Sequence, residues 1–234
     1  MELFYQTDSY CRTLETLIEN IDTSDNSVQF EKTIIYPGGG GQPYDFAFLT
    51  CGDKRYAVSG TKKNEFGIWY ILDALPPSPG APVTMEIDWD RRYAFMRSHT
   101  AMHILCGVIW RDYRKAVTGG NMDILKGRLD FEFAELNKDM LPELERKVNE
   151  EIKAAREIQI IFADDSTNLN ELIRTKENLI PKGVDNIRLI EITGLDTQAD
   201  GGTHVKNTSE VGSIKITDIE NKGKNNKRVK MEIT

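Results

Sequence analysis

The chain is poor in long apolar runs, in cysteine and above all in histidine, and each scarcity narrows what it can be. No stretch of its 234 residues approaches the roughly 18 to 20 apolar positions of a membrane helix. The opening MELFYQTDSYCRTLE has neither the basic n-region nor the apolar h-region of a leader peptide, so a cytoplasmic protein without a membrane partner is expected. Cys11, Cys51 and Cys106 are odd in number and form no CxxC pair, which speaks against a disulfide framework and against a thiolate finger. A net charge of −7 argues against a generic nucleic-acid coat, which would need clustered Lys and Arg. What is present is an ordinary globular mixture, 39% hydrophobic and 29% charged, with length enough for a real core.

Up to about residue 89 the chain reads as short β-branched or aromatic runs between Gly, Pro, Asp and Asn: SVQFEKTIIY, YDFAFLTC, KRYAVSG, GIWYILD and PVTMEIDW. Strands at this spacing predict a small barrel or sandwich, with LPPSPGAP as a long loop inside it. From Asp90 the period changes. DRRYAFMRSHTAMHILCGVIWRDY has few breakers and predicts a helix over about 90–114, with Asp88 or Asp90 at its N-cap and Tyr93, Met96, His99, His103, Cys106 and Ile109 or Trp110 along one side. A glycine-containing loop VTGGNMD, a strand KGRLDFEF and a helix over about 139–156 with the stripe Leu141, Leu144, Val148, Ile152 and Ala155 are expected next. A strand IQIIFA, a short helix STNLNELIR, a strand NIRLIEI, a loop QADGGTHV and a final hairpin GSIKITDIE/KRVKMEIT complete the pattern. The fold class is therefore α+β, in two domains, a β domain over 1–89 and an α+β domain over 90–234.

The stretch SHTAMHILCG holds two of the three histidines. On a helix, positions i and i+4 share a face about 6 Å apart, so His99 and His103 can present both imidazoles to one ion. The plainer alternative, two histidines packed on an amphipathic helix, stays open from this motif alone. His204 lies in a Gly-Gly loop and Asp200 precedes it by four positions, so all three histidines and one carboxylate are accounted for if the two segments meet. Zinc suits such a donor set. Cys106 sits seven residues beyond His99, about 10.5 Å along a helix axis, and is expected in the core. Thr100 stands where a zinc protease of the H-E-x-x-H type would need its glutamate. PGGGGQ has neither the Lys-Ser/Thr ending of a Walker loop nor GxGxxG spacing and reads as a flexible loop at the domain junction.

Together SHTAMHIL, GGTHV and the upstream IIYPGGGGQPYD resemble the freestanding alanyl-tRNA editing proteins, the AlaX family, in their mid-sized form. That family is similar to the editing domain of alanyl-tRNA synthetase, and the likeness runs from about Thr33 to Gly212. It implies a small N-terminal β-barrel followed by an editing domain of the type common to threonyl- and alanyl-tRNA synthetases. It also implies a zinc-dependent hydrolase, with one Zn2+ per chain, acting on the ester of tRNA(Ala) mischarged chiefly with serine, glycine being the second candidate. Carried over by motif, His99, His103 and His204 are metal ligands. Asp200 stands where the family pattern has cysteine: it is either the fourth ligand, through oxygen, or a base or orienter beside three histidines and water. Expected pocket-lining positions are Gly38, Gly39, Gly40 and Gly41, with Gly201 and Gly202, through their N–H groups. Gln42, Thr118 and Thr203 are expected to bind substrate.

A pocket shaped for alanine rejects glycine and serine only weakly, so a second hydrolytic site that recognises the serine hydroxyl is physically reasonable. Three other readings remain: a non-catalytic zinc-containing RNA-binding module, a threonyl-type editing enzyme and a hydrolase of small esters. Two basic groups bear on RNA contact, Lys222 to Lys230 in the tail and Arg91, Arg92, Arg97, Arg111, Arg114 and Lys115 around the histidine pair.

Overall fold

Alternation of apolar and polar side chains builds the first part of the chain. In the computed structural model, which describes residues 1–164, 166–177 and 186–234, two units are distinguished: Met1–Gly39 with Pro43–Tyr93, and Gly40–Gln42 with Ala94–Thr234. The first carries β1 (Glu2–Leu3), β2 (Thr13–Asp22), β3 (Ser27–Phe30), β4 (Lys32–Thr33), β5 (Ala47–Cys51), β6 (Lys54–Asn64), β7 (Gly67–Leu72) and β8 (Pro82–Ile87). Among the described residues, six of these close a barrel in the order β2-β3-β7-β6-β5-β8, which removes the open strand edges a small sheet would leave. On β8, Val83, Met85 and Ile87 point inward and the residues between them outward, joining Val28, Phe30, Leu49 and Tyr70 in the core. The barrel expected from the sequence is thus present, and LPPSPGAP is a loop within it, since β8 pairs with both β2 and β5.

Two details differ. β2 is absent from the runs expected as strands, because its TLETLIENID intersperses Glu15, Glu19 and Asp22 among its apolar residues and buries only Thr16 and Ile18. SVQFEKTIIY is not one strand: β4 leaves the barrel to pair in parallel with β1, and Ile34 and Ile35 continue as buried, irregular chain.

The helix α1 (Trp89–Tyr113) begins where Asp88 accepts the N–H of Arg91, as its N-cap position requires. Trp89–Tyr93 belongs to the first unit and the rest to the second. Every residue from Ser98 to Ile109 is buried, so this is an interior helix covered all round rather than one with a single apolar side. Arg92 is fully buried in the first unit, where it pairs with Asp45 and donates to the carbonyls of Ser9 and Ile34, so it adds nothing to a basic surface.

The second unit continues with β9 (Val117–Asp123), β10 (Lys126–Glu132), α2 (Leu141–Lys153), β11 (Ile158–Phe162), β12 (Arg188–Ile192), β13 (Asp196–Ala199), β14 (Ile214–Asn221) and β15 (Asn226–Ile233). Among the described residues these form an antiparallel sheet β14-β15-β10-β9 and a second sheet β11-β12-β13. VTGGNMD, expected as a loop, is the strand β9. Its glycines serve close packing, since a Cβ on Gly120 would lie 3.1 Å from the Met102 side chain of α1 and 3.0 Å from Leu129. STNLNELIR holds only a 3-10 turn at Leu169–Leu172, after which the backbone of Arg174 and Lys176 pairs with Val117. α2 buries Leu144, Val148 and Ile152 as expected but ends before Ala155, which is exposed with φ of 49°. It covers the edge of β14, where Asn149 bonds both the N–H and the C=O of Ile214.

Candidate metal centre

Two segments about a hundred positions apart meet inside the second unit. α1 presents His99 and His103 on successive turns, and β13 ends in the irregular run that carries Asp200 and His204. One donor atom from each of the four lies within 4.8 Å of every other. The imidazole ring centres are 4.3 to 5.0 Å apart. Asp200 Oδ1 faces His99 Nε2 at 3.5 Å and His103 Nε2 at 3.9 Å, and Oδ2 faces His204 Nε2 at 3.1 Å. Donors about 2.0 to 2.1 Å from a tetrahedral zinc are about 3.4 Å from one another, so these separations need only small side-chain adjustments to hold such an ion.

The protonation of the group also fits a metal. Burial pushes all three imidazoles below their ordinary range, His103 to about 4, so each is a neutral donor at neutral pH. Burial of Asp200 opposes its ionisation, but the three surrounding imidazoles outweigh that and hold its carboxyl well below the usual range. Three neutral lone-pair donors around one carboxylate in an enclosed site form a cage suited to a divalent cation.

Neighbouring groups set the direction of each ring. His99 Nδ1–H donates to Gln42 Oε1 (3.1 Å), which leaves Nε2 aimed at the cluster. The same Gln42 oxygen accepts the N–H of Thr203 (3.1 Å), while Gln42 Nε2 donates to Thr203 Oγ1 (2.8 Å). His204 Nδ1 lies 3.2 Å from Thr100 Oγ1, a hydroxyl that also receives the Val205 N–H. Gly202 N–H donates to Asp200 Oδ2 at 2.6 Å, and Arg188 Nη1 donates to the Asp200 carbonyl at 2.8 Å. Gly202 leaves no room for a side chain: an added Cβ would lie 2.4 Å from His99 Cε1 and 2.9 Å from Gln42 Oε1.

The four residues expected to hold metal are thus brought together. Gln42 and Thr203, expected to bind substrate, are buried with their polar groups engaged on each other and on His99. Gly38, Gly39, Gly40 and Gly41 all have positive φ, and Gly41 lies against the backbone of Gly120. Gly201 is exposed, and its N–H has no partner among the described residues, whereas that of Gly202 is taken by Asp200. Thr118 is an exposed β9 residue whose hydroxyl donates to Asn226. Cys106 is buried outside the cluster, its thiol pushed up to about 12, hence no thiolate ligand. The tail is less basic than its sequence: Arg228 pairs with Asp130 and Lys230 with Glu220. Sequence reasoning missed Thr100 and Arg188, since nothing local marks a threonine or an arginine for a partner far along the chain.

Residues 187–230 match the family model described as the threonyl and alanyl tRNA synthetase second additional domain. The chain is 37% identical to the alanyl-tRNA editing protein AlaX-M of Saccharolobus solfataricus and 31% identical to that of Methanosarcina acetivorans, in each case over 97% of both chains. It is also 31% identical to the alanine–tRNA ligase of Thermoplasma acidophilum, over 92% of this chain and 25% of the ligase.

Proposed function

Since the chain belongs to the alanyl-tRNA editing proteins, we propose that it is a zinc-dependent deacylase that hydrolyses the ester of tRNA(Ala) mischarged with serine, and with glycine as a second substrate. The observation that carries this reading is the convergence of His99, His103, His204 and Asp200 on one buried point. The relatives' name supports tRNA(Ala) editing as the task, and the donor set supports the metal.

In this reading the three imidazoles and the Asp200 carboxylate hold Zn2+, which when bound supplies positive charge for polarising the ester carbonyl or an attacking water. Gln42 keeps His99 in the tautomer that offers Nε2, and Thr100 does the same for His204 by accepting from Nδ1–H. Asp200, itself held by the Gly202 N–H and by Arg188, would offset part of the charge of a bound cation and is the carboxylate of the cluster able to accept a proton from water. The Gly201 N–H is the loop donor left to line the pocket and receive the developing oxyanion. Gly40 and Gly41 line it from the other segment, and their backbone carries no side chain to obstruct an aminoacyl group. Thr118 belongs to the same proposed lining. A polar partner for the serine hydroxyl, left unsatisfied by alanine, would spare correctly charged tRNA.

The test is hydrolysis of seryl-, glycyl- and alanyl-tRNA(Ala) by zinc-replete protein beside a His103→Ala variant shown to be folded. Rapid loss of the seryl ester in the replete protein alone is the expected outcome. Survival of all three esters beside stoichiometric bound zinc would make the site structural and sink the proposal.

A further inference from the structure

A cavity opens at the far end of α1, within the same unit as the imidazole cluster. Its volume is about 380 Å³, within the range of small-ligand sites of about 300 to 1,000 Å³. Its lining includes Trp110 of α1 and Arg114 just beyond it, Glu171, Leu172 and Arg174, and Thr197 of β13. Two guanidinium groups lie near the indole of Trp110, Arg174 at 4.7 Å and Arg114 at 5.8 Å from the ring centre. They differ in what they can do. Arg174 is buried and paired with Asp196 at 2.8 Å, so it is part of the wall. Arg114 is exposed and has no acidic partner among the described residues. An aromatic face beside an uncompensated guanidinium fits a nucleotide, whose base stacks and whose phosphate needs a cation.

The placement identifies which nucleotide. Trp110 follows His103 by seven positions, two helical turns, so the two side chains leave the same face of α1 about 10.5 Å apart. Along β13, Thr197 precedes Asp200 by three positions, about 10 Å. Both elements therefore measure the same short span between the cavity and the cluster. A strand whose terminal ester lies at the cluster has its preceding nucleotides within reach of Trp110.

We propose that the cavity seats a nucleotide preceding the esterified one in the single-stranded 3′ end of the tRNA, its base on Trp110 and its phosphate on Arg114. This rests on the hydrolase reading above. It makes the cavity the means by which the protein distinguishes an ester on RNA from the same ester on a lone nucleoside.

Two substrates test it, seryl-tRNA(Ala) and the seryl ester of adenosine, which lacks the preceding nucleotides. For Trp110→Ala and for Arg114→Glu, the ratio of kcat/KM on the tRNA ester to that on the adenosine ester is expected to fall about tenfold or more. Trp110→Phe, which keeps a stacking ring, should restore most of the ratio. Arg114→Glu should also flatten the salt dependence of KM for tRNA, as loss of a phosphate contact does. Arg114 is exposed, so that variant holds the test even if Trp110→Ala fails to fold. A ratio unchanged in Arg114→Glu and in the folded Trp110 variants overturns the proposal, whether both activities fall together or both persist. Should the wild type cleave neither ester, the hydrolase reading fails, and binding of uncharged tRNA by these variants decides the cavity alone: equal affinities overturn it.

Discussion

Gly202 is the position at which the cluster of three histidines and Asp200 tolerates no side chain, since a Cβ there would lie 2.4 Å from His99 Cε1 and 2.5 Å from His99 Nδ1. The ring is also held by Gln42 at 3.1 Å, so it cannot withdraw without losing that bond. Gly202→Ala is therefore expected to lower zinc affinity and seryl-tRNA hydrolysis by about 10- to 100-fold, as loss of ligand orientation does, while the circular dichroism spectrum stays that of the wild type. Chelator competition measures the first, and undiminished zinc affinity would show that the cluster accommodates the methyl group. By contrast Gly201 has open space around its Cα and should accept alanine with little effect on metal binding. The histidines and Asp200 were legible because they are rare and regularly spaced. The role of Gln42 was not: a glutamine after four glycines suggests substrate contact, and only its burial against Thr203 and His99 makes it an orienting group.

At the scale of elements, α1 is the scaffold of the site and α2 steadies its far end. Asp112, in the last turn of α1, accepts from Lys147 of α2 at 2.8 Å and pairs with Arg111, which also pairs with Glu151. Arg111, with Lys147, holds the Asp112 carboxyl down at about 2, below the value of about 3.9 in an unfolded chain. A carboxylate depressed in this way stabilises the fold fully above about pH 4, and the contribution disappears as the pH falls toward 2. The urea midpoint of the wild type should therefore fall more steeply between pH 4 and 2 than that of Asp112→Asn; parallel curves would show that the pair contributes nothing. α1 itself was legible from its lack of breakers. β9 was not, because two adjacent glycines signal a turn locally, whereas here Gly120 lets Met102 approach the sheet. β2 escaped notice for the opposite reason, a strand whose outward charges hide its two buried positions.

For the whole molecule, the two units each have a core independent of any ion: Phe30, Leu49, Tyr70 and Met85 in the first, Phe131, Val148, Val211 and Val229 in the second. Removal of metal with a chelator is therefore expected to abolish seryl-tRNA hydrolysis while leaving far-ultraviolet circular dichroism unchanged, and added zinc to restore activity. Loss of secondary structure on chelation would instead make the ion a folding element, as in domains too small for a core. The sequence by itself determined five of the six barrel strands, the long interior helix and the identity of the four metal-binding candidates, because periodicity, breakers and residue rarity act between neighbours in the chain. Only the tertiary structure decided that Asp200 and His204 reach the helix pair, that Gln42 and Thr100 orient two of the rings, that Arg92 and Arg228 are matched by carboxylates, and that Trp110 and Arg114 flank a cavity. Those relations depend on which distant segments pack together, and packing is a property of the closed core that no local stretch carries.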